Sequence, residues 1–194
     1  KNKMELLTEL GIKDSKMLTD EKMLEMAPLI KAACIHSVLV LRNEKYNTVQ
    51  KRGWSQGKIK ALLHNQALQH VLNKMAPEKP DYILIDQFAE RGIYYNRIKD
   101  EKEIVKENVL FSTKAEQLHL SVAAASIIAR EAFLKEMDKL SKLAGMTIPK
   151  GASKKVDEIA AKIWLSQGEE KLQTLTKWHF ANTEKARTLV FKKM

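Results

Sequence analysis

The stretch YILIDQFAERG, Tyr82 to Gly92, decides the fold. Tyr82, Ile83, Leu84 and Ile85 follow one another without polar alternation, which predicts a strand covered on both sheet faces. That strand ends in a carboxylate, Asp86. Such an aspartate can simply hydrogen-bond the turn that follows. It can also bind a metal ion or do acid/base work, because loops gather at strand ends in α/β folds.

Downstream, Val109, Leu110 and Phe111 read as a second short strand, Ser112 to Gln117 as a turn, and the residues from Leu118 as a helix. Glu116 falls just ahead of that helix, where the positive end of its dipole favours an ionised carboxylate. Two acids at neighbouring strand ends can share a hard cation such as Mg²⁺ or Mn²⁺, whereas Glu116 alone reads as a first-turn acid with a local role. The small residues Ala123 to Ser126 predict close packing of the helix on the sheet.

Upstream, Thr19 can cap a helix with Asp20 and Glu21 in its first turn, disrupted or kinked at Pro28. Ser37 to Leu41, β-branched and apolar, predicts a strand, and the polar residues after it a loop or short helix. A long helix is expected from near Gly57 to the prolines at 77 and 80, with Ile59, Leu62, Leu63, Ala67, Val71, Leu72 and Met75 as its core stripe. Lys58 with Asn65, and Lys60 with His64, are then placed on neighbouring tracks of the other side. Alternating helices and strands predict an α/β organisation.

Composition fits one soluble domain: 194 residues, 44% hydrophobic and 30% charged. Cys34 is the lone cysteine, so no internal disulfide can form, which fits a reducing, cytoplasmic setting. The longest apolar passage, Leu118 to Ala129, is interrupted by His119, Ser121 and Ser126, and KNKMELLTELG lacks the apolar core of a signal peptide, so no membrane association is expected. Lysine and arginine outnumber aspartate and glutamate by 34 to 24, a net charge of +10 that favours a polyanionic partner. Between Lys45 and Pro77 there is no acid, while Lys45, Lys51, Arg52, Lys58, Lys60 and Lys74 are all cationic. This run is either a nucleic-acid surface or a solvated basic face.

Taken together, KDSKMLTDEKMLEMAPLI (Lys13–Ile30), GKIKALLHNQAL (Gly57–Leu68), ILIDQFA (Ile83–Ala89), STKAEQLHLSVAAASIIAR (Ser112–Arg130) and HFANTEKA (His179–Ala186) resemble ribonuclease HIII, one of the type 2 ribonucleases H. The resemblance runs from about Leu7 to Ala186 with the motifs in the same order. It implies a ribonuclease H-like α/β fold, a mixed sheet flanked by helices, and cleavage of the RNA strand of RNA/DNA hybrids to leave 5′-phosphate and 3′-hydroxyl ends. It also implies two-metal catalysis with Mg²⁺ or Mn²⁺, in which Asp86 matches a metal-binding aspartate and Glu116 the fourth acidic position. Asp14, Ser15 and Lys16 match an element at the substrate backbone, and Gly57, Lys58, Lys60, His64 and Asn65 match the helix and loop that face the hybrid. His179 and Phe180 match a C-terminal motif that serves either packing or substrate contact.

The chain also departs from that pattern. The DEVGTG-type segment with the family's first two metal-binding acids has no counterpart here, and neither Asp20-Glu21 nor Asp157-Glu158 stands in a comparable setting. Residues 1–194 are therefore expected to be the C-terminal majority of a catalytic domain, without the family's N-terminal substrate-binding domain. In a sheet ordered 3-2-1-4-5 the first two strands would be absent, so this piece alone is expected neither to fold as a stable monomer nor to cleave. With the upstream segment present, a monomeric enzyme is expected. The competing reading is a non-catalytic nucleic-acid-binding module that uses the basic run alone.

Overall fold

The structure, a computed structural model, describes residues 3–12 and 17–192. In chain order the elements are α1 (Lys3–Glu9), α2 (Asp20–Ala33), α3 (Asn43–Lys51), α4 (Gln56–Met75), β1 (Ile83–Asp86), α5 (Arg91–Arg97) and β2 (Val109–Ser112). They continue as α6 (Ala115–Leu118), α7 (Leu120–Ala144), α8 (Lys154–Gln167), α9 (Glu169–Leu175) and α10 (Ala181–Phe191). The fold is α/β, mostly helical, with a small sheet.

Local chemistry sets the helix starts. The Thr19 hydroxyl accepts the Lys22 N–H at 3.2 Å and begins α2; Ser55 does the same for Lys58 at 3.1 Å and begins α4. Pro28, expected to disrupt or kink α2, does not end it, and the helix runs on to Ala33. Ala27 and Ile30, on either side of that proline, are fully buried with Ile127 and Ile128 of α7, and this burial offsets the backbone hydrogen bond that Pro28 cannot donate. Two ion pairs add to the join: Lys31 reaches the buried Glu131 at 2.6 Å, and Arg130 reaches Asp20 at 2.8 Å.

β1 and β2 pair in parallel, Ile83 opposite Val109 and Asp86 opposite Ser112. The sheet among the described residues is this parallel pair rather than a mixed sheet. Ile85 and Val109 are buried with Ala61, Tyr94 and Ile98, whereas Ile83 and Leu84 are half-buried, so β1 is less fully covered than its apolar run suggested; in β2, Leu110 is 48% exposed. Ser37 to Leu41 forms no strand. Its residues alternate between half-buried and exposed as an extended chain would, yet no described residue supplies the ladder partner that a strand requires.

The contacts gather the chain into two compact units, Lys1–Leu39 with Ser55–Phe133, and Val40–Trp54 with Leu134–Met194. The first holds the sheet, the aliphatic cluster around Ile30 and Ile127, and the aromatic cluster around Tyr94. The second is helical, built on Ala160, Ala161 and Ile163 of α8, Leu172 and Leu175 of α9, and Ala186 and Val190 of α10. No described helix is long and apolar enough to cross a membrane.

Candidate active site

The site grows from the ends of the two strands. Gln87 continues the ladder by donating its N–H to the Ser112 carbonyl at 2.9 Å, and two residues later Lys114 takes a left-handed backbone, φ 56° and ψ 35°. That conformation is uncommon for a residue with a side chain and marks a tight, strained reversal. It turns the next amide back towards β1, where the Ala115 N–H donates to the Asp86 carboxylate at 3.0 Å. Glu116 follows directly and is 8% exposed, while Asp86 is exposed. The two acids are thus gathered at one end of the sheet, with the backbone of residue 115 as the link. Glu116 lies inside the one-turn helix α6 rather than ahead of the long helix, which starts only at Leu120 after a break at His119. At that break the His119 ring accepts the Ser121 N–H at 3.2 Å.

Helix α4 brings cations to the same end. The His64 ring packs on Phe88 at 4.7 Å, and the Lys60 ammonium lies 6.0 Å from the Phe88 ring centre. His64 keeps an exposed side chain, yet the atoms crowded around its ring desolvate it in part and, with the charge of Lys60, hold its pKa below the ordinary value, while the opposite charge of Asp86 pulls the other way. Lys58 is half-buried in the first turn of α4. Gly57 has a specific reason to be glycine, because a Cβ there would fall 2.4 Å from the Arg97 guanidinium carbon. Arg97 at the end of α5 therefore rests on the bare backbone of α4's first turn, where a larger residue would push it aside.

Asn65 does not lie on the outward track expected for it. It is 3% exposed, and its amide is engaged by the backbone: Nδ2 donates to the Glu103 carbonyl at 2.8 Å and Oδ1 accepts the Val105 N–H at 3.0 Å. An apolar-stripe reading of α4 could not detect this, because Asn65 and Ala61 form the buried face with Ile59 and asparagine counts as polar. Asp14, Ser15 and Lys16 lie outside the described residues. The acid-free run is divided: Lys45, Lys51 and Arg52 belong to the second unit, and Lys58, Lys60 and Lys74 to the first. In the second unit the His179 ring stacks on Tyr46 at 5.6 Å and meets Phe180 edge-on at 4.9 Å.

Sequence reasoning gave no role to Phe88, Arg97 or the reversal at Lys114. Gly57 in the first turn of a helix was the available signal for Arg97, since glycine there invites the question of what approaches it. Lys114 offered none, because nothing in Thr113-Lys114-Ala115 marks a left-handed residue.

Asp86 and Glu116 supply hard oxygen donors of the kind that suit Mg²⁺ and Mn²⁺. Among the described residues no group of three or more histidine, cysteine, aspartate or glutamate side chains gathers, so these two fit as a partial site for ions that keep waters and take further ligands.

Ribonuclease HIII of Lysinibacillus sphaericus (strain C3-41) is 66% identical over 189 residues, covering 97% of this chain and 61% of that protein. Ribonuclease HIII of Bacillus subtilis (strain 168) is 58% identical over 193 residues, covering 100% and 61%. The solved structure of Bst-RNase HIII in complex with Mn²⁺ superposes with a TM-score of 0.95 at 46% identity, covering 97% of this chain and 61% of that one. The chain thus spans about 61% of the length of these relatives. The sequence pattern described as Ribonuclease HII matches residues 1–183, and on that match the chain belongs to the ribonuclease HII family.

Proposed function

We propose that this chain supplies the Asp86–Glu116 part of the active site of an endonuclease that cleaves the RNA strand of RNA/DNA hybrids, leaving 5′-phosphate and 3′-hydroxyl ends. The observation that carries this reading is the hydrogen bond from the Ala115 N–H to Asp86, which gathers an exposed and a buried carboxylate at the mouth of the sheet. Acids beside a phosphate path lower affinity unless a cation intervenes, so their position favours a metal-dependent enzyme over a binding module.

Asp86 and Glu116 would hold the divalent ions, Mg²⁺ or Mn²⁺, with the further acids of the family pattern. Bound there, two such ions supply an activated water and stabilisation of the leaving oxygen. Asp86 is oriented by the Ala115 amide, which leaves the rest of its carboxylate open to solvent. Lys60, exposed beside Phe88, and Lys58, in the first turn of α4, attract and seat the phosphate backbone. Polar groups reaching the 2′-hydroxyl distinguish the RNA strand, and Asp14, Ser15 and Lys16 are assigned to its backbone. We assign the enzyme to the cytoplasm as a monomer; Cys34, the lone cysteine of residues 1–194, can form no disulfide within them.

The test uses the complete protein with a labelled hybrid duplex, in Mg²⁺, in Mn²⁺ and in chelator. Metal-dependent cuts in the RNA strand, lost in Asp86→Asn while the duplex still binds, are the expected result. Binding with a steep salt dependence but no cleavage in either metal would instead establish a non-catalytic module.

A further inference from the structure

We propose that Asn65 is a positioning residue, one that fixes the segment leading into β2, and with it Glu116, against helix α4. The inference rests on the metal-dependent hydrolase reading above. It replaces a substrate contact, the role the resemblance implied for Asn65, with one exerted through the backbone.

The segment 103–105 is pinned from two helices. Asn65 engages it twice, donating to the Glu103 carbonyl and accepting from the Val105 N–H. Because one bond needs a donor and the other an acceptor, the amide can sit only one way round, and a residue lacking either group loses one of the two bonds. Gln69, one helical turn further along α4, donates to the same Glu103 carbonyl at 2.6 Å, and the Tyr95 hydroxyl of α5 donates to the Val105 carbonyl at 3.3 Å. Ile104 and Val105 also pack against the buried cluster of Ala61, Ile85, Tyr94, Ile98 and Val109.

From this clamp the chain has little slack. Asn108 adopts a left-handed backbone, φ 54°, and its carbonyl accepts the Ile83 N–H at 2.9 Å, which sets where β2 begins. The ladder then carries the register to Asp86 opposite Ser112, and the reversal at Lys114 delivers Ala115 to Asp86 and Glu116 beside it. Asn65 thus ties the helix that bears Lys58, Lys60 and His64 to the strand that delivers the second acid. Freeing it lets the 103–105 segment slide, and the disturbance passes along β2.

The experiment compares wild type, Asn65→Ala and Asn65→Asp in the complete protein. It combines steady-state cleavage of a hybrid duplex with amide exchange and with Mn²⁺ titration in the absence of substrate. Asn65→Ala is expected to lower kcat about tenfold and weaken Mn²⁺ binding by about as much, the scale for groups that orient ligands. KM is expected to stay within about twofold, because no substrate contact is lost. Exchange at the Val105 amide and along β2 accelerates. Asn65→Asp, which keeps the acceptor but loses the donor, falls between. A raised KM with unchanged kcat would return Asn65 to substrate contact; a lower melting temperature with kcat, KM and Mn²⁺ affinity all unchanged would reduce it to a purely structural residue. If Asn65→Ala does not fold, Gln69→Ala removes one donor from the Glu103 carbonyl and is expected to lower kcat about twofold with KM constant. An unchanged kcat there overturns the proposal. If the wild type cuts no hybrid, the hydrolase reading fails, while exchange and Mn²⁺ titration still decide whether Asn65 holds the strand.

Discussion

Asp86 and Asp157, one in each compact unit, show how the same side chain is used in opposite ways. Asp157 stands in the first turn of α8, is 6% exposed, and takes a hydrogen bond from the Asn182 amide of α10. A neutral donor seals it, and the bond ties two helices that already share an aliphatic core. Asp86 stands at the end of a strand, is exposed, and takes its hydrogen bond from a backbone amide that also positions a second acid. Burial with a complete partner makes an acid part of the fold; exposure at a strand end, with another acid drawn alongside, makes it available to a cation.

The strongest way to break this contrast is to neutralise each acid in turn. Asp86→Asn is isosteric, and its side-chain oxygen can still accept the Ala115 N–H, so the turn persists while the charge is lost. In the complete protein kcat is expected to fall at least about 100-fold, with hybrid affinity within about threefold, as for removal of a group used only in the transition state. Asp157→Ala is expected to do the reverse. Losing this one bond, while the half-buried Asn182 amide keeps the Ala152 carbonyl within 3.5 Å, costs about 0.5–1.5 kcal/mol of stability, measured by urea unfolding, and leaves kcat per folded molecule unchanged. Large loss of kcat in a folded Asp157→Ala protein would end the distinction.

A smaller effect sharpens the electrostatics around Asp86. Lys60→Ala removes an exposed cation beside Phe88 and His64. Hybrid affinity is expected to drop about fivefold, and the slope of log K against log salt to shrink by about one, as for loss of a single phosphate contact. The same substitution removes a charge that holds the His64 pKa down, so its titration, followed by NMR, should move up towards the ordinary histidine value. A His64 titration unmoved by Lys60→Ala would place that lysine away from the ring.

These pairs also explain what the sequence could and could not reveal. β1, β2 and α4 were legible because apolar runs, capping residues and prolines are local signals. Asp86 stood out because it closes a short apolar run, whereas Glu116 was marked only by its place just ahead of a helix and by the family resemblance; Ala115, which precedes Glu116, donates its N–H to Asp86. The strand expected at Ser37–Leu41 was not reliable, because β composition states a preference and pairing needs a partner from elsewhere in the chain. The inward turn of Asn65 was hidden for a related reason: its partners, Glu103 and Val105, lie 38 and 40 residues away. The continuation of α2 past Pro28 followed from burial against α7, which no local rule about proline contains.

Tyr94 provides the smallest and most independent test of the contrast between a sealed polar group and an available one. Its side chain is fully buried between Tyr95, at 5.1 Å, and Phe111, at 5.2 Å, and its hydroxyl has no hydrogen-bond partner among the described residues. Unlike Asp157 it is enclosed without a donor or acceptor, so the hydroxyl contributes nothing that phenylalanine lacks, and Tyr94→Phe is expected to raise stability by up to about 1 kcal/mol. Burial, with the neighbouring Tyr95 adding to it, pushes the Tyr94 pKa up to about 12 from the ordinary 10.0. A pKa raised by folding means that the unfolded chain ionises first, so the contribution of Tyr94 is whole below pH 10 and is lost as pH climbs through about 12. Urea midpoints of wild type and Tyr94→Phe should therefore diverge above pH 10, with the variant losing less. Parallel curves across that range would mean that the hydroxyl reaches water or a partner, and that this part of the aromatic core is open rather than sealed.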